Sequence, residues 1–236
     1  MSDAWEKSAA AWIASQGEAG DFTRRYVLDA PMLARIEGRG FQRALDVGCG
    51  EGRFCRLIAR HVAHITGIDP SPSLIDEAKR RDPQADYGVG YAETLNFADG
   101  SFDLVISYLS LIDIDDIDAA IAEMARVLAP GGTLLIANLN SFNTANDGRG
   151  WRTDWRGRPY DFPIDAYLDA RPVRAAWKGI DVINWHRPLS TYMSLLIDAG
   201  FRLTLFTEPA PTGGDPAKAD RYRRAPYAHV MEWRRD

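Results

Sequence analysis

Residues 45–54 read Leu-Asp-Val-Gly-Cys-Gly-Glu-Gly-Arg-Phe, with Gly48, Gly50 and Gly52 following an apolar run and a carboxylate, Asp46. Glycine costs backbone entropy, so three in five positions mean that the chain must turn sharply there or be approached closely. An apolar strand, a glycine-rich turn and a helix start together cradle a nucleotide, because the glycines admit the ligand to the backbone and free helix N–H groups face it. A second carboxylate, Asp69, ends the next apolar run 17 residues after Gly52. There it can accept both hydroxyls of a ribose. A dinucleotide-binding turn reads G-x-G-x-x-G, and here Arg53 stands where the third glycine would fall. The expected ligand is therefore a nucleoside with an amino-acid tail, and a nicotinamide oxidoreductase is disfavoured.

Four histidines are the other candidates for proton chemistry. His61 and His64 lie at the edge of the sheet away from the ligand, and His229 lies in the last strand, so these three read as structural. His186, in Asn-Trp-His-Arg-Pro, sits where an irregular segment rejoins a helix. Imidazole titrates in the useful range, so His186 is either a general base or substrate contact, or a structural hinge. Arg187 beside it can clamp a carboxylate or phosphate, or tie the irregular segment to the sheet. Tyr108, ending the fourth strand, can meet a substrate or only pack. Cys49 and Cys55 are too few and too close for a disulfide framework, and no His/Cys/Asp/Glu set has metal spacing, so no metal is expected.

These residues need elements to hold them. Helical periodicity spans residues 4–15 and 114–128, with Ile114, Ile117, Ile121, Met124 and Leu128 on one face. A short helix is expected over Pro31–Ile36, one after Ser71-Pro72, and one ending at Gly200. Five apolar strands alternate with these helices as far as Phe142, the rhythm of a parallel sheet covered on both faces. From Asn143 to Trp185 the chain is polar and aromatic and reads as an insertion with an antiparallel hairpin near 166–187. The αβ pattern then resumes, and residues 210–226 read as a long loop.

Composition limits the partners. The 236 residues carry a net charge of −5, which offers no footprint for nucleic acid or an anionic membrane. Residues 151–236 hold 14 Lys and Arg against 11 Asp and Glu; this basic third suits an anionic small substrate or is a solvated surface. The first 22 residues lack a leader pattern, and no run is long enough to span a bilayer. A cytoplasmic protein with reduced thiols is expected.

Leu45–Phe54, Gly67–Ser71, Ala92–Val105, Arg126–Ala137 and Leu196–Phe201 occur in an order and spacing that resembles the class I S-adenosylmethionine-dependent methyltransferases of the small-molecule type. The resemblance implies a Rossmann-like, doubly wound, mostly parallel seven-stranded α/β sheet with an antiparallel last strand. It implies one domain over 1–236, with a helical lid over 1–40, a core of 41–142 and 189–236, and an aromatic-rich cap over 143–188. Carried over by position, Asp46, Gly48 and Gly50, with Cys49 between them, line the methionine end of S-adenosylmethionine. Asp69 holds the ribose, Pro70 packs beside the adenine, and Ala92 and Glu93 flank its edge. Ser107 and Tyr108 lie near the sulfonium. Two positions depart from the pattern: Tyr91 stands where many relatives place an aspartate, and Ser-Tyr-Leu-Ser-Leu-Ile-Asp replaces a segment that often carries a histidine. The implied reaction is in-line methyl transfer to an oxygen or nitrogen of a small acceptor, aromatic or anionic, with His186 as base. A non-catalytic cofactor-binding protein and a methyltransferase acting on a macromolecule are the competing readings.

Overall fold

The computed structural model describes residues 2–236. Helix α1 (Ser2–Gln16) is followed by a π-helical turn over Arg24–Leu28 that runs directly into α2 (Asp29–Leu33). The expected Pro31–Ile36 helix thus starts earlier, because the π turn already sets the helical path, and Pro31 falls in its first turn. Strand β1 (Arg43–Val47) leads through the glycine turn into α3 (Arg53–Ile58); β2 (His64–Asp69), α4 (Pro72–Arg81) and β3 (Asp86–Val89) follow. Next come β4 (Phe102–Tyr108), α5 (Ile117–Val127) and β5 (Leu128–Leu139). Caps fix the helix starts: Ser71 Oγ accepts from Leu74 N–H, and the Asp116 carboxylate from Ala119 N–H at 3.0 Å.

The irregular segment holds α6 (Ser141–Thr144), a small hairpin of β6 (Arg152–Thr153) and β7 (Pro159–Asp161), and a longer one of β8 (Arg171–Trp177) and β9 (Ile180–His186). The core then resumes with α7 (Leu189–Asp198) and β10 (Phe201–Thr207). Where a long loop was expected, α8 (Pro216–Arg224) forms before β11 (Ala228–Arg235). The Asp215 carboxylate caps α8 by accepting from Lys218 N–H at 2.7 Å, and Pro216 occupies its first turn.

The seven-stranded sheet has the order β10-β11-β5-β4-β1-β2-β3, with β11 antiparallel to both neighbours and the pairs from β5 to β3 parallel. Alternate side chains serve two apolar layers. Leu45, Val47, Val105, Leu134 and Ile136 pack with α5 and α7. Ala44, Leu104, Ile106, Leu135 and Ala137 pack with α2, α3 and α4. Both faces are covered, which explains the continuous apolar runs. Strand order reverses between β1 and β4, so a crevice opens beyond their C-terminal ends, the usual ligand position in such sheets.

Candidate active site

The glycine turn leaves β1 with Gly48, Gly50 and Gly52 all at positive φ, between 56° and 80°. A Cβ at Gly48 would lie 2.4 Å from Ser110 Cβ, and one at Gly52 2.7 Å from the Tyr87 hydroxyl. Gly48 thus lets the turn meet the loop after β4, and Gly52 lets it meet Tyr87 of β3. Gly48 and Cys49 both donate backbone N–H to Ile68 O, at 2.8 and 2.9 Å. Asp69 then locks the turn: its carboxylate accepts from Gly50 N–H and from Ser71 N–H, each at 2.9 Å.

A cavity of about 230 Å³ opens over this turn. Gly48, Gly50, Asp69, Pro70, Ala92 and Glu93 line it, as expected from the sequence, and so do Tyr91 and Ser110. Three expected residues stand behind the wall. Asp46 is fully buried and takes a hydrogen bond from the Cys55 thiol; Cys49 packs inward; Ser107 shares a 2.7 Å hydrogen bond with Ser110, whose hydroxyl is at the cavity in its place. Burial pushes the carboxyls of Asp46 and Asp69 up, to about 7 and about 6.

The donor set fits S-adenosylmethionine. Each Asp69 oxygen accepts one backbone bond and keeps a lone pair for a ribose hydroxyl. Asp46 Oδ1 and Glu51 Oε1 are buried without hydrogen-bond partners. Carboxylates gathered in this way around a closed turn suit a ligand bearing positive charge.

A second cavity, of about 340 Å³, adjoins the first. Trp5, Trp12, Leu109 and Asp113 line both. The far walls carry Trp177, Tyr222 and Tyr227, with Asp21, Arg24, Lys178 and Lys218 among them. Helix α1 forms the common roof. Trp5 and Trp12 meet edge to face at 5.2 Å, and Trp12 donates its indole N–H to Glu51 at 2.8 Å. Glu6 accepts from the hydroxyls of Ser71 and Ser73, both at 2.5 Å, and from Ser73 N–H, which fixes α1 to the start of α4.

The three residues expected at the chemistry are not on either of these cavities. Tyr108 donates its hydroxyl to Asp29 at 2.9 Å and stacks on Phe54 at 4.5 Å. Its neighbour Leu109, held at φ 60°, turns into the cavities in its place. His186 is completely buried, with Nε2 donating to Tyr167 O at 2.9 Å and Nδ1 bonded to the Thr144 hydroxyl at 2.7 Å. Burial lowers its basicity, and neither ring nitrogen is free to take a substrate proton. Arg187, also buried, donates to the carbonyls of Ile114 and Asp115 at 2.7 and 2.8 Å and lies over the Trp185 ring. His61 and His64 lie before and at the start of β2, and His229 is buried against Asn140.

What Arg187 does hold is the loop bearing Asp113, a residue the sequence reading passed over. Its carboxylate accepts from Asn184 Nδ2 at 2.6 Å and sits where the two cavities meet. Burial pushes it up to about 7, against the lowering effect of donors on Trp5 and Asn184. A signal existed in the sequence: an aspartate five residues beyond Tyr108, the end of β4, at the crevice edge of the sheet.

Among the described residues no cluster of His, Cys, Asp and Glu could hold a metal, and no helix is long and apolar enough to cross a membrane. Residues 45–136 match the family described as a methyltransferase domain. The chain is 30% identical over 162 residues to a malonyl-[acyl-carrier protein] O-methyltransferase of Serratia marcescens, covering 67% of this chain and 62% of that protein. It is 37% identical over 117 residues to a demethylmenaquinone methyltransferase of Renibacterium salmoninarum, covering 50% and 47%. The chain thus spans less than two thirds of the length of these curated relatives. The crystal structure of an S-adenosylmethionine-dependent methyltransferase from Mesorhizobium loti superposes with a TM-score of 0.78 at 28% identity, over 87% of this chain and 96% of that one. With its glycine turn, its Asp69 and its sheet order, the chain carries a methyltransferase domain over residues 45–136 and shares the fold of S-adenosylmethionine-dependent methyltransferases, whose cofactor is S-adenosylmethionine.

Proposed function

We propose that this chain transfers a methyl group from S-adenosylmethionine to an oxygen or nitrogen of a small acceptor held in the second cavity. One observation carries the reading: a glycine-turn cavity and an aromatic-walled cavity share the wall made by Trp5, Trp12, Leu109 and Asp113. When bound, the cofactor supplies a methyl already activated by a sulfonium. The protein's task is then to align the acceptor at about 3 Å and to exclude water.

Each residue has a part in that task. Asp69 accepts the ribose hydroxyls, Pro70, Tyr91, Ala92 and Glu93 flank the adenine, and the backbone at Gly48 and Gly50 faces the amino-acid tail. Asp113 takes the place expected of His186, accepting the proton of an acceptor hydroxyl or ammonium. Arg187 and Asn184 are positioning residues that hold Asp113 at the junction. Helix α1 acts as the lid and residues 143–188 as the cap. The relatives are named for malonyl-[acyl-carrier protein] and for demethylmenaquinone, and the reading of a small acceptor rests on the size of the second cavity rather than on either name.

The test is calorimetric titration of the protein with S-adenosylmethionine, S-adenosylhomocysteine and NAD. Micromolar binding of the first two without NAD is expected, followed by radiolabelled methyl incorporation across a metabolite panel. Binding of NAD alone would sink the reading. Tight cofactor binding with no turnover on any acceptor would favour a sensor instead.

A further inference from the structure

Cations in this protein mostly come with partners. Arg24 pairs with Asp21 at 2.8 Å, Arg53 with Asp29 at 2.6 Å, and Arg35 and Arg39 with Glu232 at 2.6 and 3.0 Å. Lys178 and Lys218 are different. Both line the second cavity, from unrelated elements: Lys178 from the turn joining β8 to β9, Lys218 from the first turn of α8. Neither makes an ion pair among the described residues. The carboxylates nearest in sequence to Lys218 are both engaged elsewhere: Asp220 pairs with Arg224 at 3.8 Å, and Asp215 caps α8. Asp21, which also faces this cavity, is held by the backbone and guanidinium of Arg24.

Lys218 is half-buried, with its ammonium 4.8 Å over the Phe22 ring and 5.5 Å from that of Tyr222. Burial disfavours its protonated form, the Asp21 carboxylate offsets part of that, and the charges of Lys178 and Arg221 add to it. Two mutually repelling ammonium groups on one cavity raise the energy of the empty site, and an anion placed between them relieves it. The wall around them includes Trp177, Tyr222 and Tyr227, flat surfaces that suit an aromatic or otherwise planar body. Asp113 lies on the cofactor side of the same cavity.

We propose that Lys178 and Lys218 form an anion-binding subsite, so that the acceptor is a planar molecule carrying a carboxylate or phosphate, anchored there with its reacting hydroxyl or amine toward Asp113. This rests on the second cavity being the acceptor site. The charge pattern orients the acceptor: its anionic end is drawn to the lysines and repelled by the Asp113 end. A neutral molecule of the same shape forfeits that orientation as well as the attraction.

The experiment uses protein saturated with S-adenosylhomocysteine, titrated by calorimetry with 4-hydroxybenzoate, 4-hydroxycinnamate and phenyl phosphate, and with the two neutral amides of the acids. At least one anion should bind about tenfold more tightly than its neutral counterpart, with affinity falling as salt rises. Lys178→Met and Lys218→Met should each remove most of that preference and leave S-adenosylhomocysteine affinity unchanged. Lys178 is on an exposed turn, so its variant tests the idea even if Lys218→Met folds poorly. The carboxylate and phosphate arms show which anion the subsite prefers. Equal binding of acid and amide, no anion binding up to about 10 mM, or anion affinity indifferent to both substitutions would each overturn the proposal. Failure to bind S-adenosylhomocysteine in the first place would instead overturn the methyltransferase reading beneath it.

Discussion

Trp12 of α1 donates its indole N–H to Glu51 of the glycine turn at 2.8 Å, across 39 residues of sequence. Glu51 is buried, and its other carboxylate oxygen has no partner. The bond joins the roof of both cavities to the loop that cradles the cofactor. Trp12→Phe keeps the ring and deletes the donor, leaving a buried carboxylate without it, at a cost of about 1–3 kcal/mol to the closed arrangement. The expected outcome is faster amide exchange across Ser2–Gln16 and quicker S-adenosylhomocysteine release in stopped-flow, with little change in sheet protection.

Asp69 joins Gly50, Ser71 and the ribose position through one carboxylate. Asp69→Ala should weaken S-adenosylmethionine by about 100-fold, the loss of two charge-assisted bonds of about 1.5 kcal/mol each. Because the wild-type carboxyl is raised to about 6, cofactor affinity should also fall as pH drops below that value. Calorimetry between pH 5 and 8 checks both.

Asp113 should separate chemistry from cofactor binding. Asp113→Asn preserves the shape and can still accept from Asn184, so the loop should keep its place. Turnover on an identified acceptor should drop by about 100-fold or more, the range of general-base contributions, while cofactor affinity stays put. The wild-type acid limb, expected near pH 7 from the buried carboxyl with Asp69, Arg24 and Tyr192 around it, should vanish in the variant. An unchanged pH profile would remove Asp113 from the chemistry.

Asp46, Asp69 and Asp113 all titrate higher in the folded protein than in an unfolded chain, because burial disfavours their charge. The native state therefore binds more protons than the unfolded one between about pH 4 and 7, so these groups make stability fall as pH rises through that window. Their contribution to the melting temperature of the ligand-free protein should be higher at pH 5 than at pH 8. Asp46→Asn should flatten this slope and stabilise the ligand-free form at pH 8.

His186→Ala and Arg187→Ala should appear first as stability changes. Arg187 is buried and satisfies two loop carbonyls at short range, so its removal should cost about 2–4 kcal/mol in denaturant unfolding. His186→Ala should destabilise too, without abolishing the dependence of rate on pH proposed for Asp113.

What could be read from the sequence was set by short-range geometry. The glycine turn and Asp69 are linked by strand ends whose positions follow from periodicity, and Gly48 and Gly52 must be glycine because neighbouring side chains occupy the Cβ space. Helix α8 was legible and missed: Asp215-Pro216 is a helix start, overlooked among glycines and charges. Tyr108 and Leu109 differ by one residue, and only the positive φ at Leu109 decides which one enters the cavities. The sequence leaves His186 open between a base and a structural hinge for a longer-range reason. The path of the 143–188 segment depends on how it packs against Ser8 and the loop after β4, through contacts between Asp181 and Ser8 and between Asn184 and Asp113, and no local pattern encodes those.

Trp5 and Trp12 lie on a single helix and wall both cavities. That shared roof ties the traffic of two ligands to one movement. If α1 is the lid proposed above, lifting it to let a spent cofactor out would also uncover the proposed acceptor side, so the two products would have one exit event between them. A slow step at that gate would govern the whole cycle whatever the speed of the methyl transfer beneath it.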